Sequence, residues 1–196
     1  SKDVVWEGWN VPREEREATT GHRAAVVWFT GLPGAGKTTI ARGVERRLFE
    51  SGVRTMLLDG DQVRHGLCGD LGFTPADRDE NIRRVGEVAR LFFEQGSVVL
   101  CAFVSPYAAG RDAARRLLPP GRFVEVHVHA ALAELRRRDP KGLYRRQESG
   151  ELKGLTGVSA PYEPPREPEL DLDTTGMAVD QAVEAVLRLL RELGII

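Results

Sequence analysis

The segment Gly31-Leu32-Pro33-Gly34-Ala35-Gly36-Lys37-Thr38 constrains this chain more than any other feature. It matches the pattern G-x-x-x-x-G-K-[ST] throughout. Before it, the apolar run Ala24 to Phe29 ends in Thr30-Gly31, which suits a strand buried on both faces of a parallel sheet. After it, Thr38 to Phe49 carries Ile40, Ala41, Val44 and Leu48 on one side of a helix that Gly52 ends. A strand, a glycine loop and a helix in this order curl successive backbone N–H groups around phosphate oxygens and aim a positive helix end at them. Lys37 reaches the β- and γ-phosphates, and Thr38 offers a hydroxyl to Mg²⁺. Gly31, Gly34, Ala35, Gly36, Lys37, Thr38 and Thr39 are therefore the expected ATP-binding residues. The alternative is a chance glycine-rich turn, which the flanking strand and helix disfavour.

The rest of the chain continues the alternation. Strands are predicted over Thr55 to Leu58, Ser97 to Val104, Phe123 to His129 and Leu170 to Thr174. Helices are predicted over Glu80 to Gln95, Arg111 to Leu118, Ala131 to Arg138 and from Val179 to Leu190. The pattern indicates a three-layer α/β P-loop NTPase fold with a mainly parallel sheet, in which ligands bind beyond the carboxyl ends of the strands. Residues 1–22 read as an N-terminal extension with no clear period, in which Trp6 and Trp9 are candidates to dock on the domain or on a second subunit. Residues 23–196 read as one P-loop domain. Within it, residues 140–168 are rich in Gly, Pro and charge, too long for an ordinary loop, and are expected to form a lid.

A chain of 196 residues fits one domain, and 41% hydrophobic with 29% charged residues is ordinary for a globular protein. The net charge of −1 gives no general reason to expect nucleic acid or membrane partners. The longest apolar run, Val98 to Val104, is too short to cross a bilayer. No secretory h-region is seen, so a cytoplasmic protein is expected. Cys68 reads as a loop thiol and Cys101 as a buried one; neither has zinc-ligand spacing. His127 and His129 share one face of their strand. Paired histidines can bind metal, but no third ligand is evident, and a structural role is favoured.

The phosphate loop alone does not separate a kinase from a GTPase or a motor. No N-K-x-D guanine-reading motif is present. The third strand runs into Ser105 rather than an acidic residue. The acidic group comes instead after the second strand, in Asp59-Gly60-Asp61, where a carboxylate can face an acceptor hydroxyl beside the γ-phosphate. Asp59 is the candidate general base and Mg²⁺ ligand; a turn-forming Asp beside Gly is the alternative. Arg64, Arg78 and Asn81, with Arg84 following, can form a planar-donor clamp for an anionic acceptor, against the reading of solvated helix charge. Phe73, between Gly72 and Thr74, is a candidate to stack on a base; peripheral core packing is the alternative. Arg136, Arg137, Arg138, Lys141, Arg145 and Arg146 cluster at the start of the lid, where a basic segment can close over ATP.

From about Gly21 to the last helix the sequence resembles the adenylylsulfate kinases, or APS kinases. The resemblance rests on Asp59-Gly60-Asp61 through Arg64-His65-Gly66-Leu67, Leu71-Gly72-Phe73, Arg78 through Asn81-Ile82-Arg83-Arg84, and Phe103-Val104-Ser105-Pro106-Tyr107. Asp139-Pro140-Lys141-Gly142-Leu143-Tyr144 and Lys153-Gly154-Leu155-Thr156-Gly157 complete it. It implies transfer of phosphate from ATP to the ribose 3′-hydroxyl of adenosine 5′-phosphosulfate (APS), giving PAPS and ADP, a step of sulfate assimilation. It also implies Mg²⁺, a homodimer, and ATP sulfurylase as a candidate partner. By resemblance, Asp59 and Lys37 are catalytic. Asp61, Arg64, Phe73, Arg78, Asn81, Val104, Lys141, Gly154 and Leu155 bind APS, and Ser105 matches a serine proposed in some members to carry a phosphoryl group. Leu155 departs from the family's usual Phe on one face of an adenine sandwich, which costs ring stacking of about 0.5–1.5 kcal/mol. Val158-Ser159-Ala160 replaces the common Ile-Asp-Ser. Two other readings stay open: a kinase for another small hydroxyl acceptor, and a non-catalytic nucleotide-binding module. The intact Lys37 and Thr38 disfavour the second.

Overall fold

The computed structural model describes residues 8–196. In chain order the elements are α1 (Arg13–Thr20), β1 (Ala25–Thr30), α2 (Lys37–Glu50), β2 (Thr55–Asp59), α3 (Gly60–Arg64), α4 (Pro75–Glu94) and β3 (Val98–Ala102). They continue with α5 (Ala108–Arg116), β4 (Phe123–His129), α6 (Leu132–Arg138), α7 (Leu143–Glu148), β5 (Leu170–Asp173) and α8 (Val179–Glu192). The five strands form one parallel sheet in the order β2-β3-β1-β4-β5. β1 lies at its centre and is buried along its whole length.

Alternation along β1 divides the core in two. Ala25, Val27 and Phe29 face α2 and α8, packing with Ile40, Val44, Val183 and Leu187. Val26 and Trp28 face the opposite layer, packing with Ile82, Val85, Phe93 and Ala114 of α4 and α5. The layers approach closely: a Cβ on Gly43 of α2 would stand 2.5 Å from Val183 Cγ2 of α8. This is the three-layer α/β fold expected.

Several local features depart from the expected elements. α4 starts five residues before the predicted Glu80: Thr74 caps it, Asp77 completes a reciprocal capping box, and Pro75 opens the first turn. The charged leading segment holds a helix, α1, with no buried residue. It docks through polar groups, with Arg13 over the Phe93 ring at 4.5 Å and Glu17 accepting from the Ala24 N–H and from Arg122. Hydrophobic periodicity is blind to such a helix. Trp9 stays 53% exposed, and Trp6 lies outside the described residues. Cys68 sits in a turn, as expected of a loop thiol, and is fully buried against the α4 layer, as is Cys101. The segment 140–168 is not wholly irregular, because α7 lies within it. Among the described residues, no helix is long and apolar enough to cross a membrane.

Candidate active site

The carboxyl ends of β1, β2 and β3, with the lid above them, enclose a cleft of about 1090 Å³. The phosphate loop forms its floor. Gly31, Gly34 and Gly36 all have positive φ. At Gly31 the need for glycine is absolute: its φ is 150°, and a Cβ there would stand 2.0 Å from the Val128 carbonyl oxygen of β4. α2 starts without a side-chain cap, so its first N–H groups are available to an anion.

Lys37 is 8% exposed, and its Nζ donates to the Gly31 and Leu32 carbonyls at 2.8 and 2.9 Å. Burial pulls its pKa down to about 7, and the nearby Lys141 charge adds to the effect; Asp59 and Asp61 oppose it. The loop is tied down from the lid side as well. The Tyr144 hydroxyl donates to the Pro33 carbonyl at 2.8 Å, and the Thr174 hydroxyl lies 3.1 Å from the Ala35 carbonyl. Arg138 in turn donates to Thr174. Thr174 and Arg138 as braces of the phosphate loop were not foreseen, because only the tertiary fold brings β5 and α6 to that loop.

Asp59 ends β2 and caps α3. It is 3% exposed; Oδ1 accepts from the Asp61 N–H at 3.0 Å, and Oδ2 accepts from the Thr38 hydroxyl at 2.6 Å. The fold thus joins the loop threonine to the carboxylate that follows the second strand. Two hard oxygen donors beside a phosphate cradle fit Mg²⁺, which prefers few protein carboxylates plus phosphate oxygens and water.

The acceptor candidates line the same cleft. Asp61 is paired with Lys141 across the mouth. Arg64 stacks over the Phe73 ring at 4.3 Å and donates to the Leu71 and Gly72 carbonyls. Phe73 is 69% exposed, free on its other side to take a flat ligand. Arg78 joins this wall to the lid: it donates to the Phe73 and Gly154 carbonyls at 2.9 Å each and to the Thr156 hydroxyl. Asn81 is 5% exposed, and its Oδ1 is buried without a hydrogen-bond partner, an orphan acceptor in the cleft wall. Val104 also lines the wall, and its carbonyl accepts from Thr30.

Four expectations meet a different geometry. Arg84 does not line the cleft; its guanidinium is held by Asp70, Glu80 and the Leu67 carbonyl. Ser105 lines the cleft but is 2% exposed, its φ is 40°, and its Oγ accepts from Trp28 Nε1 at 3.1 Å. Leu155 is 6% exposed and packs into the α2-side core while touching the cleft. The lid cations are not free: Arg136, Arg137, Arg138, Arg145 and Arg146 pair with Glu148, Glu134, Glu134, Asp139 and Glu151.

Comparison with known proteins gives the chain's family. The family described as adenylylsulphate kinase matches residues 23–173. An adenylyl-sulfate kinase of Citrobacter koseri is 53% identical over 195 residues, covering 100% of this chain and 96% of the relative. One from Acaryochloris marina is 48% identical over 196 residues, again covering 100% and 96%. Among solved structures, the Mycobacterium tuberculosis APS kinase in complex with AMPPNP and APS is 42% identical with a TM-score of 0.82, covering 87% of this chain and 99% of that one. A Sinorhizobium meliloti gluconokinase, 17% identical with a TM-score of 0.55 over 88% of this chain and 94% of that one, shares the fold alone. The chain belongs to the adenylylsulphate kinase family.

Proposed function

We propose that this protein transfers the γ-phosphoryl group of ATP to the ribose 3′-hydroxyl of APS, giving PAPS and ADP. The observation that carries the reading is the position of Asp59. Its carboxylate is bonded to Thr38 of the phosphate loop and opens onto the same cleft as Arg64, Phe73, Arg78 and Asn81. The family relationship and the 42% identical kinase solved with AMPPNP and APS support the same two ligands here.

In this reading the loop N–H groups and Lys37 hold the β- and γ-phosphates in line with the acceptor. Thr38 and Asp59 would hold Mg²⁺, which when bound would neutralise charge on the phosphates. Asp59 takes the proton from the 3′-hydroxyl as its oxygen bonds to the γ-phosphorus and the bond to ADP breaks. Phe73 stacks on one face of the acceptor adenine, and Leu155 covers the other. Arg64, Arg78 and Asn81 orient the ribose and its phosphosulfate, and Asp61 with Lys141 closes the mouth. Transfer goes directly from ATP to the acceptor, the simpler path, with no phosphoserine step at Ser105.

The working form is a homodimer in the cytoplasm. A hexameric APS kinase from Thiobacillus denitrificans, 35% identical with a TM-score of 0.69, shows that relatives assemble. Association with ATP sulfurylase is a further proposal; it fits the "Bifunctional enzyme NodQ" of Azospirillum brasilense, 58% identical over 181 residues, of which this chain covers 29%. Light scattering, alone and with sulfurylase, tests both. Purified protein with ATP, Mg²⁺ and APS should yield PAPS. A folded sample that binds ATP but makes no PAPS would overturn the assignment. A panel of other hydroxyl acceptors tests the altered-acceptor reading that Leu155 raises.

A further inference from the structure

Outside the cleft, the parallel register of the last two strands assembles a group of side chains that the kinase reaction does not use. His127 of β4 stands opposite Asp171 of β5, and His129 opposite Asp173. His127 and His129 point to the same side, their rings stacked with centroids 4.8 Å apart. Asp171 reaches both: Oδ1 lies 2.6 Å from His127 Nδ1, and Oδ2 lies 3.2 Å from His129 Nε2. The strand sequence His-Val-His shows two ligands at a strand's two-residue period. The third comes from a residue more than forty positions away, supplied by strand pairing.

We propose that His127, His129 and Asp171 form a binding site for a divalent transition-metal ion of the zinc, nickel or cobalt class, separate from the Mg²⁺ of the kinase cleft. The donor atoms all lie within 4.8 Å of one another. Donors around one tetrahedral ion at about 2.1 Å are about 3.4 Å apart, so small side-chain rotations close the set. Two imidazole nitrogens and one carboxylate oxygen select this class over Mg²⁺ or Ca²⁺, which take oxygen ligands. His127 is the buried anchor, with 14% of its side chain exposed. His129 at 36% and Asp171 at 59% leave the site open on one side for the ion and for water as a fourth ligand. Asp173 is not counted, because its Oδ1 accepts the Thr175 N–H.

Surrounding contacts hold the anchor in place. The Tyr162 ring stacks on His127 with centroids 6.1 Å apart, and the Tyr162 hydroxyl lies 3.1 Å from the Thr30 hydroxyl. Thr30 immediately precedes Gly31. β1 and β4 also pair Thr30 directly with His127, so the site lies beside the strand that leads into the phosphate loop.

The test is a titration of the intact protein with Co²⁺ in excess Mg²⁺, read by the visible absorption of the bound ion, followed by displacement with Zn²⁺. One equivalent should bind at this site. His129→Ala and Asp171→Asn should each weaken binding at least tenfold, since loss of even an outer-shell partner costs about 10–100-fold. His65→Ala should leave it unchanged; of the four histidines, His22 is buried elsewhere. Circular dichroism confirms that the half-exposed positions tolerate replacement, and kinase turnover with Mg²⁺ alone should be retained in both site variants. No bound equivalent in the parent protein, or equal binding by the folded His129→Ala protein, would overturn the proposal.

Discussion

Asp59 is the residue on which the phosphoryl-donor and acceptor halves of the cleft meet. If it is the proton acceptor, Asp59→Ala should cut transfer by about 10²–10⁴-fold while nucleotide affinity, measured by calorimetry, changes little. Equal loss of both would assign Asp59 to nucleotide binding alone. Lys37 carries a second prediction at this scale. Burial holds its pKa near 7 in the free protein, against 10.5 for an ordinary lysine. Phosphates favour the charged amine, so above pH 7 binding must take up a proton. Affinity for an ATP analogue should weaken as pH rises from 7 to 9, by up to about tenfold per unit, with proton uptake visible in buffers of different ionisation enthalpy. Unliganded stability should move the other way. Between pH 7 and 10.5 the unfolded chain binds this proton and the folded one does not, so rising pH favours the folded state through this group. A pH-independent affinity would contradict the low pKa.

Among the elements, α4 carries Arg78 and Asn81, the proposed acceptor residues, near its start, a role that needs a rigid first turn. The capping box at Thr74 and Asp77 provides that rigidity. Thr74→Ala should cost about 1 kcal/mol in stability by denaturant unfolding and should raise KM for the acceptor more than KM for ATP. The Thr74-Pro75-Ala76-Asp77 signal was readable in the sequence, but the apolar stripe that locates the helix begins only at Ile82. Periodicity finds the buried face of a helix and misses a solvated first turn. The same limit hid α1, whose docking is made of guanidinium, carboxylate and ring contacts.

For the molecule as a whole, Arg111 is the tie between sheet, active-site turn and lid. It is 2% exposed, bonds Glu125 of β4 at 2.7 Å, and donates at 2.8 Å to the carbonyls of both Ser105 and Glu163. Arg111→Met would leave Glu125 with Arg115 as its remaining ionic partner among the described residues and free both loops. The expected cost is about 3–5 kcal/mol, seen as a fall in Tm of roughly 10 °C. An unchanged Tm would show that the tie is dispensable.

Strand periods, a complete phosphate loop and the Asp59 to Asn81 segment were legible before any coordinates, because each is a local pattern: a run, a spacing, a residue type next to a turn. They sufficed for the sheet's parallel character and for the family. Contacts between distant segments were not legible. The Ser105 hydroxyl turned to Trp28, the burial of Leu155 and Cys68, the brace from Thr174 to Ala35, and the arrival of Asp171 beside two histidines all depend on strand order and register. Those follow from how the whole core packs; a one-residue change of register between β4 and β5, for example, would turn Asp171 away from the two histidines. The opening loop thus specified where phosphate binds, and the packing of the sheet around it decided what surrounds that phosphate.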